Sequence, residues 1–203
     1  VGQARTEALD AGMKPAGDKN CRLDVVICWR ELNQSDVGTS AMQIVFLHGL
    51  ESGPRGSKFQ SLAAAFANVT APDTEGVLDV DERLRRIEEA LAGQQRLLLI
   101  GSSFGGLMAC LFADRHPDRV AASVLLAPAL HDRTAQWVST ISRVPERCVI
   151  IHGVGDSVVP IAASRVFAKQ FELKLIEVDD DHRLANSHDR IIASTRRLLE
   201  QCR

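Results

Sequence analysis

The sequence predicts an α/β protein, a doubly wound and mainly parallel sheet of about six strands. Three observations carry that expectation. Short Val/Ile/Leu-rich runs alternate with helical patterns from residue 42 onward. The runs are continuously apolar, so both faces of the sheet should be covered by helices. Small and polar residues gather just past the ends of those runs, where open α/β sheets keep their sites.

In chain order, residues 1–20 are rich in Ala, Gly, Asp and Lys without a sustained period, and Val25-Val26-Ile27-Cys28-Trp29 is a single apolar patch. Residues 1–41 therefore read as an N-terminal appendage, either foreign to the domain or an added edge strand, and 42–203 as the functional domain. Strands are expected at 43–47, 68–71, 96–101, 120–127, 147–152 and 173–178. Helices are expected at 57–67, 79–92, 104–116, 134–142, 160–170 and 187–202. Asp79 can cap the second helix, Pro117 stops the third, and Pro160 fits a first helical turn.

Composition narrows the function. The 203 residues carry a formal charge of −2, no Tyr and two Trp, so neither a basic nucleic-acid footprint nor stacking aromatics are present. No apolar run reaches membrane-span length, and the first residues lack the apolar core of a signal peptide. Five cysteines without a CxxC pattern read as reduced thiols, which places the expected setting in the cytoplasm.

The chemistry centres on Leu97-Leu98-Leu99-Ile100-Gly101-Ser102-Ser103-Phe104-Gly105-Gly106. An apolar strand running into Gly-x-Ser-x-Gly and then a helix is the pattern of a nucleophile elbow. Ser103 is central in it and is the candidate nucleophile. Gly101 and Gly105 lack a Cβ where neighbours crowd the turn, and Gly106 lets the helix pack closely. The competing reading is a tight turn with a buried hydroxyl.

Leu47-His48-Gly49-Leu50 ends the first strand and leads into a Gly-rich turn. The backbone N–H of Leu50 is a candidate oxyanion donor together with that of Phe104. The turn lacks the spacing and Gly-Lys pair of a phosphate-binding loop. Asp156 follows the strand ending at His152, where an orienting carboxylate would stand; otherwise it caps the helix near Pro160, although Ser157 is the more natural capper. His182 follows the last strand as candidate general base, with His188 its rival on the final helix. Asp179, Asp180 and Asp181 read as a solvated turn; with His182, His188 and Asp189 they form no compact metal-ligand motif. Trp137 is either a pocket wall or core packing.

Ser103, Asp156 and His182 occur in the chain order of an α/β-hydrolase triad. With His48-Gly49, Gly101–Gly106, His152-Gly153-x-x-Asp156-x-x-Val159-Pro160 and Asp181-His182, residues 42–203 resemble the α/β-hydrolase superfamily, in particular small lidless bacterial esterase-like proteins. The resemblance implies a core without a cap domain and a serine carboxylesterase acting on short-chain or accessible esters. It needs no cofactor or metal, and its partner is a small-molecule ester, not nucleic acid or a membrane. An acyl-CoA thioesterase, with Arg55 or Lys58 meeting a phosphate, and a non-catalytic binding protein of the same fold are the alternatives. The sequence leaves the oligomeric state open.

Overall fold

Every strand of the sheet is parallel to its neighbours, in the order β2-β1-β3-β4-β5-β6. The computed structural model describes residues 42–203, so the expected edge strand at 25–29 and the rest of 1–41 lie outside the described residues. The strands are β1 (Gln43–Leu47), β2 (Val69–Thr70), β3 (Leu97–Ser102), β4 (Val120–Leu126), β5 (Cys148–Gly153) and β6 (Lys174–Val178). The helices are α1 (Ser57–Ala65), α2 (Val80–Ala90), α3 (Phe104–Arg115), α4 (Ala135–Val138), α5 (Ile161–Gln170) and α6 (His188–Gln201).

Alternate residues of the central strands feed two core layers. Val45, Leu47, Leu97, Leu99, Leu125 and Ile150 pack on one face with α2, α3 and Phe167 of α5. Ile44, Phe46, Leu98, Ile100, Val124 and Ile151 pack on the other with Leu62 of α1 and Ile191 and Leu198 of α6. A strand projects successive side chains to opposite faces, so burial on both explains why these runs lack polar alternation. The two edge strands, β2 and β6, are the ones without a fully buried residue.

Local chemistry sets the ends of the elements. Asp79 accepts the Glu82 N–H at 2.8 Å and caps α2. α3 is buried almost throughout because it crosses the centre of the sheet, and it ends before Pro117. The expected helix over 134–142 is shorter: a 3-10 turn at Asp132–Thr134 leads into the four residues of α4. The linker from β4 to β5 therefore holds no cap domain. Pro160 precedes α5 as its N-cap, and Ser157 caps nothing there.

The β1 loop leads to α1 on one face, whereas the β3 loop leads to α3 on the other. The two strands are neighbours, so a crevice opens between their carboxyl ends at this switch in direction. The crossing is tight. A Cβ on Gly105 would lie 2.0 Å from the Leu47 carbonyl oxygen, and one on Gly101 would lie 2.4 Å from that of Gly105. Gly106 faces Pro128 after β4, where a Cβ would come within 2.7 Å.

Gly105→Ala should therefore push α3 off β1 and lower the thermal midpoint markedly, an overpacking loss of about 1–3 kcal/mol or more. Gly56→Ala is the comparison, because φ there is −64° and the nearest atom to an added Cβ lies at 3.6 Å. A thermal melt in which Gly105→Ala matches the wild type would show that α3 shifts without cost.

Candidate active site

Ser103 joins β3 to α3 with φ 55° and ψ −120°, a backbone conformation that serine adopts only under constraint. The constraint comes from both sides. Its N–H donates to the Leu126 carbonyl at 2.8 Å, and its carbonyl accepts the Gly106 and Ala129 N–H groups at 2.8 and 3.0 Å. The turn is thus clamped to β4 and its loop, and the side chain points out of the sheet end.

His182 meets that side chain. The Ser103 Oγ–H donates to His182 Nε2 at 3.0 Å, and His182 Nδ1–H donates to Asp156 Oδ2 at 2.7 Å. One tautomer satisfies both bonds. An imidazole held this way can take the hydroxyl proton as the serine oxygen attacks, and the carboxylate stabilises the cation that results.

Asp156 does not cap α5. Its Oδ1 accepts the N–H groups of Val158 and Val159, both at 2.8 Å, which fixes the carboxylate at the turn after β5. Its side chain is fully buried. Burial alone would raise its pKa, yet the Val159 N–H, the His182 bond and the Val158 N–H together hold it below the usual carboxylate value.

A second imidazole touches the same carboxylate. Buried His152 lies with Nε2 3.0 Å from both Asp156 Oδ2 and the Val159 carbonyl, while Ser164 Oγ–H donates to its Nδ1 at 2.7 Å. That pattern puts the His152 proton on Nε2 and keeps the ring neutral. Burial pushes its pKa down more than Val159 and Asp156 raise it. In the sequence His152 stands in the His152-Gly153 motif without a role of its own; a lone histidine inside an apolar strand is the signal that could have found it.

Asp179 and Asp181 are exposed, as a solvated turn implies, whereas Asp180 is half-buried and has a structural role. It accepts the Asn186 N–H at 2.9 Å and the Ser187 hydroxyl at 2.7 Å, closing the loop that carries His182. Ser187 is spent on that bond and does not cap α6 with its side chain. Gly153 lies against the same loop, where a Cβ would sit 2.3 Å from the Asp180 carbonyl oxygen. His188, the rival base, faces elsewhere: its Nδ1 is 2.7 Å from Ser61 Oγ on α1.

On the other side of Ser103 stands the first loop. A Cβ on Gly49 would meet that of Ser103 at 3.3 Å, so the Gly49 backbone is in van der Waals contact range of the serine. Leu50 follows it, exposed, and Phe104 opens α3, where a first-turn N–H has no intrahelical acceptor. His48 is fully buried. Its Nε2 accepts the Thr74 N–H at 3.2 Å and its Nδ1–H donates to the Gly49 carbonyl at 2.8 Å. Burial again lowers the ring's pKa.

Arg83 completes this side and went unremarked in the sequence. It occupies the apolar stripe Val80-Leu84-Ile87 of α2, continued by Leu91 at the C-cap, and a charge on that stripe is the signal that marks it. Trp137 on α4 is half-buried against the core layer of α2 and α3. Among the described residues no group of three or more His, Cys, Asp or Glu side chains is placed to hold a metal ion.

Residues 48–146 match the family model described as alpha/beta hydrolase fold. The chain is 33% identical over 101 residues to Probable esterase PIR7A of Oryza sativa subsp. indica, a match covering 42% of this chain and 38% of that protein. Against Esterase PIR7B of Oryza sativa subsp. japonica the identity is 38% over 71 residues, covering 34% of this chain and 26% of that one. The chain thus spans well under half the length of these curated relatives. Among solved structures, Est1E from Butyrivibrio proteoclasticus superposes with TM-score 0.64 at 19% identity, covering 81% of this chain and 90% of that one. A Xanthomonas campestris protein described as a member of a/b serine hydrolase without lid gives 0.62 at 17%, with 83% and 85% covered. These structural likenesses bear on the fold.

His48 and His152 are both buried neutral, and each has a pKa below the ordinary 6.5. Below about pH 6.5 the unfolded chain binds protons that the folded chain does not, so stability rises with pH there and is lost on acidification. Asp156 adds a second loss, as pH falls below about 3.8 and through its depressed folded value. Urea midpoints should accordingly drop between pH 7.5 and 5.5, with a shallower drop in His152→Gln. A flat profile over that range in the wild-type protein would remove the neutral-histidine assignment.

Proposed function

The chain is an α/β-hydrolase-fold protein, similar in sequence to esterases, and on that premise we propose that it is a serine carboxylesterase acting through an acyl-enzyme on Ser103. The observation that carries the reading is the pair of hydrogen bonds from Ser103 Oγ to His182 Nε2 and from His182 Nδ1 to Asp156, at 3.0 and 2.7 Å.

In this reading the Ser103 oxygen attacks the ester carbonyl as His182 Nε2 takes its proton, and Asp156 balances the imidazolium. The N–H groups of Leu50 and Phe104 receive the negative charge that develops on the carbonyl oxygen. Collapse of the tetrahedral intermediate breaks the C–O bond to the alcohol, which leaves with the proton from His182. A water molecule, deprotonated by the same nitrogen, then attacks the acyl group, and the acid departs as Ser103 regains its proton. The residues themselves suffice for these steps.

Short or accessible acyl groups suit the site, because only residues 127–147 separate β4 from β5 and α4 is four residues long. Trp137, half-buried on α4, would wall one side of the pocket. The whole site is assigned to residues 42–203. A cytoplasmic setting belongs to the same proposal. Its support is the free, buried thiols of Cys110 and Cys148, the latter pushed up to about 12 by burial and so unreactive. No helix among the described residues is long and apolar enough to cross a membrane.

Ser103→Ala and His182→Ala should each lower ester hydrolysis by roughly three or more orders of magnitude, and the double variant should be scarcely worse than either. His188→Ala should keep most of the rate. An organophosphonate should label Ser103 and no other serine; labelling of Ser102, or full activity in His182→Ala, would refute the assignment. A panel of p-nitrophenyl esters and acyl-CoA thioesters of increasing chain length measures the substrate preference.

A chain beginning at Met42 should hydrolyse the same esters at close to the full-length rate. Lost activity in a folded, soluble truncation would move part of the site into residues 1–41. A clearly lowered melting temperature with activity kept would instead support the edge-strand reading of 25–29.

A further inference from the structure

Arg83 is 1% exposed, and it has no carboxylate partner in any ion pair among the described residues. Its Nη1–H donates to the Val77 carbonyl at 3.0 Å, and its Nη2–H groups donate to the His48 and Gly49 carbonyls at 2.8 and 3.2 Å. Its Nε is buried without a partner among the described residues. Burial pushes its pKa down to about 10, which leaves it charged at neutral pH. An apolar side chain would fill this place on α2 without the cost of desolvating an unpaired guanidinium. What distinguishes arginine here is a fork that can hold carbonyls of two different loops.

The Gly49 carbonyl has two donors, Arg83 Nη2 and His48 Nδ1. The C=O and N–H of a trans peptide point in opposite directions, and the described residues contain no cis bond. Binding the Gly49 oxygen on the Arg83 side therefore turns the Leu50 N–H to the opposite side. The same guanidinium lies over the Phe104 ring, 5.3 Å from its centroid. One buried cation thus holds the carbonyl of the Gly49–Leu50 peptide and lies over the ring of Phe104, the residues whose N–H groups form the proposed oxyanion site.

We propose that Arg83 is a positioning residue for ester hydrolysis, locking and polarising the Gly49–Leu50 peptide so that the Leu50 N–H is a fixed donor to the oxyanion. The inference rests on the reading of Ser103 as nucleophile. A positive charge behind the peptide draws electron density toward the Gly49 oxygen and strengthens the N–H at the other end as a donor. The charge is already in place before the reaction, so no reorganisation accompanies the transition state.

The test compares Arg83→Met and Arg83→Lys with the wild type, using p-nitrophenyl acetate and benzeneboronic acid, whose adduct with a serine oxygen mimics the tetrahedral intermediate. Arg83→Met should lower kcat by about 10²-fold, the size of a lost oxyanion donor, with KM within about threefold. Boronate affinity should fall in parallel, and Arg83→Lys should lie between Arg83→Met and the wild type. Folded variants whose kcat and boronate affinity stay within about threefold of wild type would overturn the proposal. If neither variant folds, the wild-type Leu50 amide decides: its proton resonance should move downfield on adding boronate, and an unmoved resonance overturns the proposal. A wild-type protein that neither hydrolyses the ester nor binds boronate overturns the nucleophile assignment and this inference with it.

Discussion

The left-handed backbone of Ser103 is the constraint on which the rest of the structure depends. A residue at φ 55° does not stay there unaided. Its amide and carbonyl are tied to β4 and the loop that follows, and α3 must start at once and cross within contact of the β1 carbonyls. That crossing fixes where the ends of β1, β3 and β4 stand relative to one another. The glycines at 101, 105 and 106 are consequences of the same crossing, because a Cβ would strike α3 at 101, β1 at 105 and Pro128 of the loop after β4 at 106.

Around this fixed serine the polar groups form two buried networks, each built on a neutral histidine. On one side His48 joins the first loop to Thr74 and Arg83. On the other, His152 lies against the Asp156 carboxylate, which His182 also contacts. The His152 ring has one tautomer that satisfies its neighbours, and burial disfavours protonation of both rings. Buried polar groups are tolerated when their partners are this well arranged, and such an arrangement holds side chains within a narrow range of positions. The loops that carry Leu50 and Asp156 are thereby rigid from below, while their upper surfaces face solvent.

The exposed side of the site follows from economy of chain. The β4–β5 linker passes through one 3-10 turn and a four-residue helix, and Asp180 draws the β6–α6 loop tight with two bonds to residues six and seven positions on. Leu50, Val154 and Val158 are left exposed on loops at this end of the sheet. Apolar side chains on the rim of an open site offer contact area to a substrate without enclosing it.

The sequence by itself determined the alternation of elements, the doubly wound sheet and the turn at Ser103. These are encoded locally: continuous apolar runs mark strands buried on both faces, and a glycine-serine-glycine spacing marks a turn too crowded for Cβ atoms. It also placed Asp156 and His182 past strand ends, since element order was enough for that. Only the tertiary structure decided which histidine meets Ser103, because His182 and His188 are six residues apart and their destinations depend on the Asp180 bonds that close the loop. It alone drew Arg83, 35 residues from His48, under the first loop and set His152 against Asp156. Residues so far apart share no periodicity, and an arginine on an apolar stripe or a histidine in a strand acquires its role only when the fold brings carbonyls and a carboxylate within hydrogen-bond reach.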